Sequence, residues 1–459
     1  MEEARHQENP FRTLIAGGGV AALEAALTLD ELLGERVETT ILAPEPDFIY
    51  RPLAVAEPFG LASAARIPLP QLVREAGAQL HPGKLARVAP EHDVAITQAG
   101  DELAYDALIL TMGARPSPAL AGSLTYRGVR DNEAFGALLH EMERGEVGTI
   151  VFAVPTAVHW SLPLYELALL TAWHARRKGV TGVNVSFVTH EEKPLGLFGT
   201  RASESVRDLI AAAEIELHTS AAPASVEAGE LLLINGSHLR ADRVVALPRL
   251  EVDPIAGVPQ GPHGFLGTDL AMRVEGRRNV YAAGDATWFP IKQGGIATQQ
   301  ADTAASVIAA SIDSAIPTEP FRPALRATML TGSKAWSLNA SVEDPEGTSA
   351  SGIPQLFWPT GKIAGRRLVP FLGSRVDRPW QGPIGQTISR TETESEWTGE
   401  ADQVDLVEMA LAAADADARW EDYRSALRWL AVADRLGLAS TPNLEAKRTK
   451  WTKASEEAE

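Results

Sequence analysis

A chain of 459 residues, 45% of them hydrophobic, holds enough apolar material for two or three domains and a sizeable core. Its 42 basic residues against 60 acidic ones leave a net charge of -18, which opposes polyanions and excludes nucleic acid as an expected partner. It has no cysteine, which removes disulfides, thiolate metal sites, iron–sulfur clusters and dithiol relays, so redox work would fall to a bound cofactor.

The opening Met1-Glu2-Glu3-Ala4-Arg5-His6 lacks the basic and apolar regions of a secretory signal. No run reaches the ~18 apolar residues of a membrane span, so the expected location is the cytoplasm. From Phe11 to Ala16 an apolar run predicts a strand; glycines follow, and a helical pattern continues to Leu33, with Gly34 as its stop. Gly17, Gly19 and Ala22 then stand where a dinucleotide fold needs a tight turn, close backbone approach to a pyrophosphate, and close helix–strand packing. The helix start offers unpaired N–H groups and the positive end of its dipole to the phosphates. A second strand, Val37 to Ala43, leads to Glu45, about where an acidic residue takes the ribose hydroxyls; a solvated loop carboxylate is the plainer alternative.

The aromatic and basic loop Asp47 to Leu53 can cover a flavin or adenine ring, with Arg51 bringing charge to the phosphates, or be an ordinary packed loop. A buried strand from Tyr105 ends in Thr111-Met112-Gly113-Ala114-Arg115-Pro116, which suits a crossing between two domains. A second strand–helix alternation begins near Gly148, yet its turn runs Pro155-Thr156-Ala157-Val158-His159-Trp160-Ser161-Leu162-Pro163, without glycine and with two prolines that have no N–H. Tight nicotinamide binding is therefore not expected there. Glu191 and Glu192, after the strand Val183 to Val188, are either ribose ligands or a plain acidic loop.

The chain returns to the first domain and reaches Val280-Tyr281-Ala282-Ala283-Gly284-Asp285, an apolar strand whose glycine brings backbone close and whose aspartate accepts hydrogen bonds from a ribityl chain. Behind it, a helix beginning near Gly294 can aim the N–H groups of Gly295, Ile296 and Ala297 at a flavin's pyrimidine edge. With the N-terminal glycine turn, this predicts bound, non-covalent FAD. Lys292 is the candidate for stabilising negative charge on reduced flavin, and His159 for carrying a proton; a surface lysine and a packed histidine are the alternatives.

These pieces together resemble the flavoprotein family that includes type II NADH dehydrogenases, sulfide:quinone oxidoreductases and flavocytochrome c sulfide dehydrogenases, within the pyridine nucleotide-disulfide oxidoreductase group, over residues 10 to 375. The resemblance implies that Gly17, Gly19 and Ala22 bind the FAD pyrophosphate, Glu45 the adenine-side ribose and Asp285 the ribityl hydroxyls, with Thr111 and Gly113 near the cofactor. In the helix start that lies beside flavin and quinone, Ala297, Gln299 and Gln300 match the family pattern, while Gly294 and Gly295 replace an Ala-Gln pair. Cysteine-dependent sulfide or disulfide chemistry is excluded by the missing cysteines.

The fold class is α/β: two Rossmann-like domains, the FAD domain split in sequence, with an all-α tail. The expected divisions are 10–115 and 245–320 for the FAD domain, 116–244 for the second domain, 321–377 for a packing segment, 378–402 for a linker and 403–459 for the tail. Lys362, Arg366 and Arg367 would suit anionic headgroups at a peripheral membrane contact, although Pro359 and Pro370 favour packing on the body or on a second subunit. The Trp420, Tyr423, Ala426, Leu427, Leu430, Ala433 pattern is half of a tetratricopeptide-like unit, which needs the body, a homodimer or a protein partner to cover it. The expected function is an FAD-dependent oxidoreductase moving electrons between a small-molecule donor and a quinone or small carrier. The alternatives are a non-catalytic flavin scaffold acting through its tail, and an NAD(P)H reductase with an atypical pocket.

Overall fold

The computed structural model describes residues 10–156, 158, 160–332, 335–340, 362–373, 410–411, 414–415, 417–418, 423–435, 438 and 440–457. Strand β1 (Phe11–Ala16) is buried from Thr13 onward, as a strand covered on both faces must be. It turns into α1 (Val20–Leu33), which stops at Gly34, where φ is 53°. Next come β2 (Val37–Ala43), β3 (Gln79–Pro82) and β4 (Ala107–Leu110).

The chain leaves this sheet along Arg115–Ser117 and builds β5 (Leu124–Thr125), α2 (Asn132–Glu143), β6 (Thr149–Val154), α3 (Leu162–Lys178), β7 (Asn184–Thr189), β8 (Glu216–His218) and β9 (Arg243–Ala246). It returns along Arg249–Glu251, antiparallel to Arg115–Ser117, so the two crossings are bonded to each other. Strand β10 (Val280–Ala282) and helix α4 (Gly294–Ile312) complete the first sheet and its cover. The result is α/β with two five-stranded sheets, ordered β10-β4-β1-β2-β3 and β5-β9-β6-β7-β8. Every pairing within them is parallel.

Alternation along the strands divides the core. Ile15, Ile109 and Tyr281 face a cluster shared with α1 and α4, while Leu14, Leu108 and Val280 face a second one with Tyr105 and Phe265. Helices α1 and α4 lie against each other through alanines, whose small side chains permit close approach.

After α4 come a hairpin, β11 (Leu325–Leu330) with β12 (Ala335–Ala340), and a strap, residues 362–373, ending in α5 (Leu368–Gly373). The strap is pinned to the first sheet's helices. Glu24, fully buried in α1, accepts the N–H groups of Arg367 at 2.9 Å and Leu368 at 2.8 Å. Arg367 donates to both oxygens of Glu31 at 2.9 Å and to Asp302. Lys362 and Arg367 are thus buried, each beside a carboxylate, and neither is placed to meet a lipid headgroup. The tail contributes α6 (Tyr423–Arg435) and α7 (Pro442–Glu457), with Ala426, Trp429, Leu430, Ala433 and Trp451 buried. The expected linker 378–402, the segment 353–361, Trp420 and the candidate His159 lie outside the described residues.

Candidate functional site

The turn between β1 and α1 is shaped for something other than protein. Gly17 has φ of 125°, and a Cβ there would lie 2.4 Å from the Thr111 carbonyl oxygen, so only glycine fits. Gly19 heads α1 with no side-chain cap, and a Cβ there would meet nothing within 4 Å. Ala22 is fully buried one turn on. The helix start therefore points bare N–H groups at open space, the cradle that a pyrophosphate fills. Glu45 is exposed just past β2, and Arg51 is exposed with no hydrogen bond or ion pair among the described residues.

At the other end of the cradle, Thr111 ties β4 to β1 by donating its N–H and its hydroxyl to the Ala16 carbonyl, at 2.8 and 2.9 Å. Gly113 follows with φ of 71°, turning the chain toward the crossing. Gly284 has φ of 81°, and its N–H is held at 2.8 Å by Gln300 Oε1, which fixes the turn that presents Asp285. Burial pushes the Asp285 carboxyl up, opposed by the charges of Lys292 and Arg51. Lys292 Nζ donates to the Thr287 carbonyl at 2.6 Å and stands 4.0 Å above the Phe265 ring. Asp285, Lys292, Arg51, Gln293 and Gly294 all line one cavity of about 550 Å³.

Helix α4 starts against the strap. Its cap is Gln293, whose side-chain oxygen accepts the Ile296 N–H at 2.9 Å and whose carbonyl accepts the Ala297 N–H at 3.0 Å. Those two donors are taken up by Gln293, and Gln293 and Gly294 are the residues of this turn at the cavity wall. The sequence left unexplained why Gly294 and Gly295 replace larger residues. A Cβ at Gly294 would lie 2.9 Å from the Ile363 side chain of the crossing strap, whereas one at Gly295 would press on the Gln293 side chain at 3.0 Å, so the strap accounts for the first glycine and the helix's own cap for the second.

The cavity's far wall holds a pair that no sequence pattern joined. Glu166 of α3 is 1% exposed, and Lys362 of the strap donates to both its oxygens, to Oε2 at 2.6 Å. The Leu330 N–H adds a third bond at 2.8 Å. Burial raises the Glu166 carboxyl and lowers the Lys362 ammonium, each against the pull of its partner, so the two forms of the pair lie closer in energy than in water. A lone acid in the run Leu164-Tyr165-Glu166-Leu167-Ala168 was the available signal, but its partner stands 196 positions away. Val158, Trp160 and Pro163 of the glycine-free turn close the same wall, with Trp160 tilted on Phe198 at 5.9 Å.

A family model described as pyridine nucleotide-disulphide oxidoreductase matches residues 11–305. The NADH dehydrogenase-like protein Rv1812c of Mycobacterium tuberculosis (strain ATCC 25618 / H37Rv) is 27% identical over 292 residues, 60% of this chain and 72% of that protein. The sulfide-quinone reductase of Aquifex aeolicus (strain VF5) is 24% identical over 242 residues, 49% of this chain and 54% of that one. Among solved structures, the sulfide:quinone oxidoreductase of Aquifex aeolicus shares the fold with a TM-score of 0.66 at 19% identity, covering 72% of this chain and 84% of that one. The covalent putidaredoxin reductase–putidaredoxin complex shares it with a TM-score of 0.54 at 18% identity, over 73% and 82%.

Proposed function

The chain belongs to the pyridine nucleotide-disulphide oxidoreductase family, and from that premise we propose that it is an FAD-dependent oxidoreductase delivering electrons to a quinone-class acceptor. The observation that carries the acceptor is the buried Glu166–Lys362 pair on the cavity wall, because a quinone takes up protons with its electrons and a buried pair of this kind can hold one for it.

FAD, when bound, supplies two-electron exchange between donor and acceptor. The chain's own residues do the rest. Gly17, Gly19 and the N-terminus of α1 bind the pyrophosphate, with Arg51 adding charge, while Glu45 takes the ribose and Asp285 the ribityl hydroxyls. Thr111 keeps β4 close to β1 behind them, and Gly113 turns the chain on toward the crossing. Lys292, held by the Thr287 carbonyl and the Phe265 ring, sets a fixed cation at the cavity against developing negative charge. Glu166 and Lys362 hold a proton between Oε2 and Nζ at the opposite wall, and Trp160 and Pro163 keep water from that side. No step needs a cysteine, in keeping with a chain that has none.

The test is anaerobic. Purified protein is expected to carry about one FAD per chain and, once reduced by dithionite, to be reoxidised by a soluble short-chain quinone. Glu166→Gln should slow that reoxidation by about tenfold or more at unchanged FAD content, within the usual range for a lost proton-transfer group. A colourless protein that takes up no FAD would sink the reading. Full reoxidation rates in Glu166→Gln would remove the pair from it.

A further inference from the structure

The second sheet repeats the strand–turn–helix–strand order of a dinucleotide site: β6, a turn, α3, then β7. In such a unit the ligand lies beyond the carboxyl ends of the strands, with phosphate at the helix start and an acidic residue after the second strand on the ribose hydroxyls. Glu191, two residues past β7, stands in that acidic position. Its carboxylate does not face outward. Oε1 accepts the Ser161 hydroxyl at 3.1 Å, and Oε2 accepts the Tyr165 hydroxyl at 2.7 Å and the Thr189 hydroxyl at 2.8 Å. The Glu191 N–H donates in turn to Thr189 Oγ1 at 3.2 Å.

These donors are firmly placed. Ser161 is the residue before α3 and is 3% exposed. Tyr165 is fully buried and stacked on Phe187 of β7, with ring centres 4.0 Å apart. The carboxylate is thus laid across the crevice from the end of β7 to the start of α3, where a ligand's phosphate would come to rest.

We propose that Glu191 is the residue that closes this second dinucleotide seat, so that the protein excludes NADH and NADPH and takes its electrons from a donor of another class. Two effects act together. A ribose diol would have to displace three hydroxyls already bonded to the carboxylate it needs. A pyrophosphate would meet a negative charge at the helix start, beside Pro163, which has no N–H to give. The claim concerns the second sheet alone and stands whether or not the flavin passes electrons to a quinone.

The probe is ADP-ribose, titrated by calorimetry into the full-length, FAD-saturated protein, so that neither the nicotinamide nor the redox step enters the readout. The wild type is expected to show no binding up to about 1 mM, and Glu191→Ala to bind at least about tenfold more tightly, a gain that Ser161→Ala added to it should erase. Glu191→Gln, which keeps the reach and loses the charge, should show part of the gain and serves if the alanine variant is unstable. Micromolar binding by the wild type, or no gain in folded variants of unchanged FAD content, would overturn the proposal. Loss of FAD or of quinone turnover would count instead against the flavin reading.

Discussion

The two strand–turn–helix units, one in each sheet, use the same parts for opposite ends. In the first, the turn has glycines at its tightest points, the helix start is uncapped, and a side chain added at Gly19 would enter empty space. In the second, prolines flank the turn, Ser161 precedes the helix, and the carboxylate of Glu191 fills the space ahead of it. The fold supplies the crevice in both. Whether a ligand can use it depends on whether the helix start turns bare N–H groups to open space, as at α1, or has few to offer beside a fixed carboxylate, as at α3, where Pro163 has no N–H and the Leu164 N–H is taken by the Ser161 carbonyl at 2.9 Å.

The inward polarity of α3 is where this contrast is broken most heavily. Lys362→Met leaves the Glu166 carboxylate buried without a cation and should destabilise the protein by about 3–5 kcal/mol. Denaturant unfolding with Lys362→Met and with Glu166→Leu/Lys362→Met measures it, and the double variant should regain much of the loss, because the apolar replacement leaves no charge to strand. If the double variant is no better than the single one, the pair acts through packing rather than charge.

The open turn gives the next largest effect and a sharper one. Gly17→Ala puts a methyl against the Thr111 carbonyl at a φ of 125° and should cost about 2–3 kcal/mol even without cofactor. Gly19→Ala has φ of -91° and free space, so the apoprotein's stability should stay within about 0.5 kcal/mol of wild type. Its FAD affinity should nevertheless fall by tenfold or more, because the space it enters is the ligand's. Equal losses in both variants, read by unfolding and by FAD titration, would mean that the turn is merely structural.

Much of this contrast was legible in the sequence. Gly17-Gly18-Gly19, Gly284-Asp285 and the missing second glycine turn are local signals, since backbone conformation and N–H supply are set within a few residues, and β1 and β2 begin and end where the apolar runs do. What could not be read is whatever depends on chain segments meeting across long separations. Glu24 with Arg367, Glu166 with Lys362 and Gly294 with Ile363 are each joined by the strap, and no periodicity along the chain encodes where a strap will cross. The same limit hid the direction of Glu191. Its position after a strand was visible, but the Tyr165 hydroxyl that turns it inward lies 26 residues earlier.

The smallest expected effect tests how the second unit is braced from outside. Glu143, at the end of α2, has its carboxyl lowered from an ordinary 4.5 to about 2, first by the hydrogen bond with His174 of α3 and then by those with His140 and Lys178, against the cost of burial. His174 Nε2 lies 2.7 Å from Glu143 Oε1, with Lys178 Nζ at 3.4 Å. Because the folded state holds the carboxyl below its unfolded value, the brace stabilises fully above pH 4.5 and is lost as pH falls toward 2. Glu143→Gln removes that titration, so wild type and variant should differ at pH 6 and converge as the pH approaches 2. The gap at pH 6 should stay under about 1 kcal/mol, the scale of a partly exposed ion pair, and unfolding curves at several pH values will show it. The carboxyls at the cavity have the opposite sign. Asp285 and Glu166 are raised by burial, so without a bound partner their ionisation works against the fold as pH rises. Other carboxylates, Asp106, Asp242 and Asp313 among them, are also held low and will cost both proteins stability toward acid, so the readout is the difference between them: a gap that does not shrink as the pH falls toward 2 would end the claim that the second unit's brace depends on the Glu143 charge.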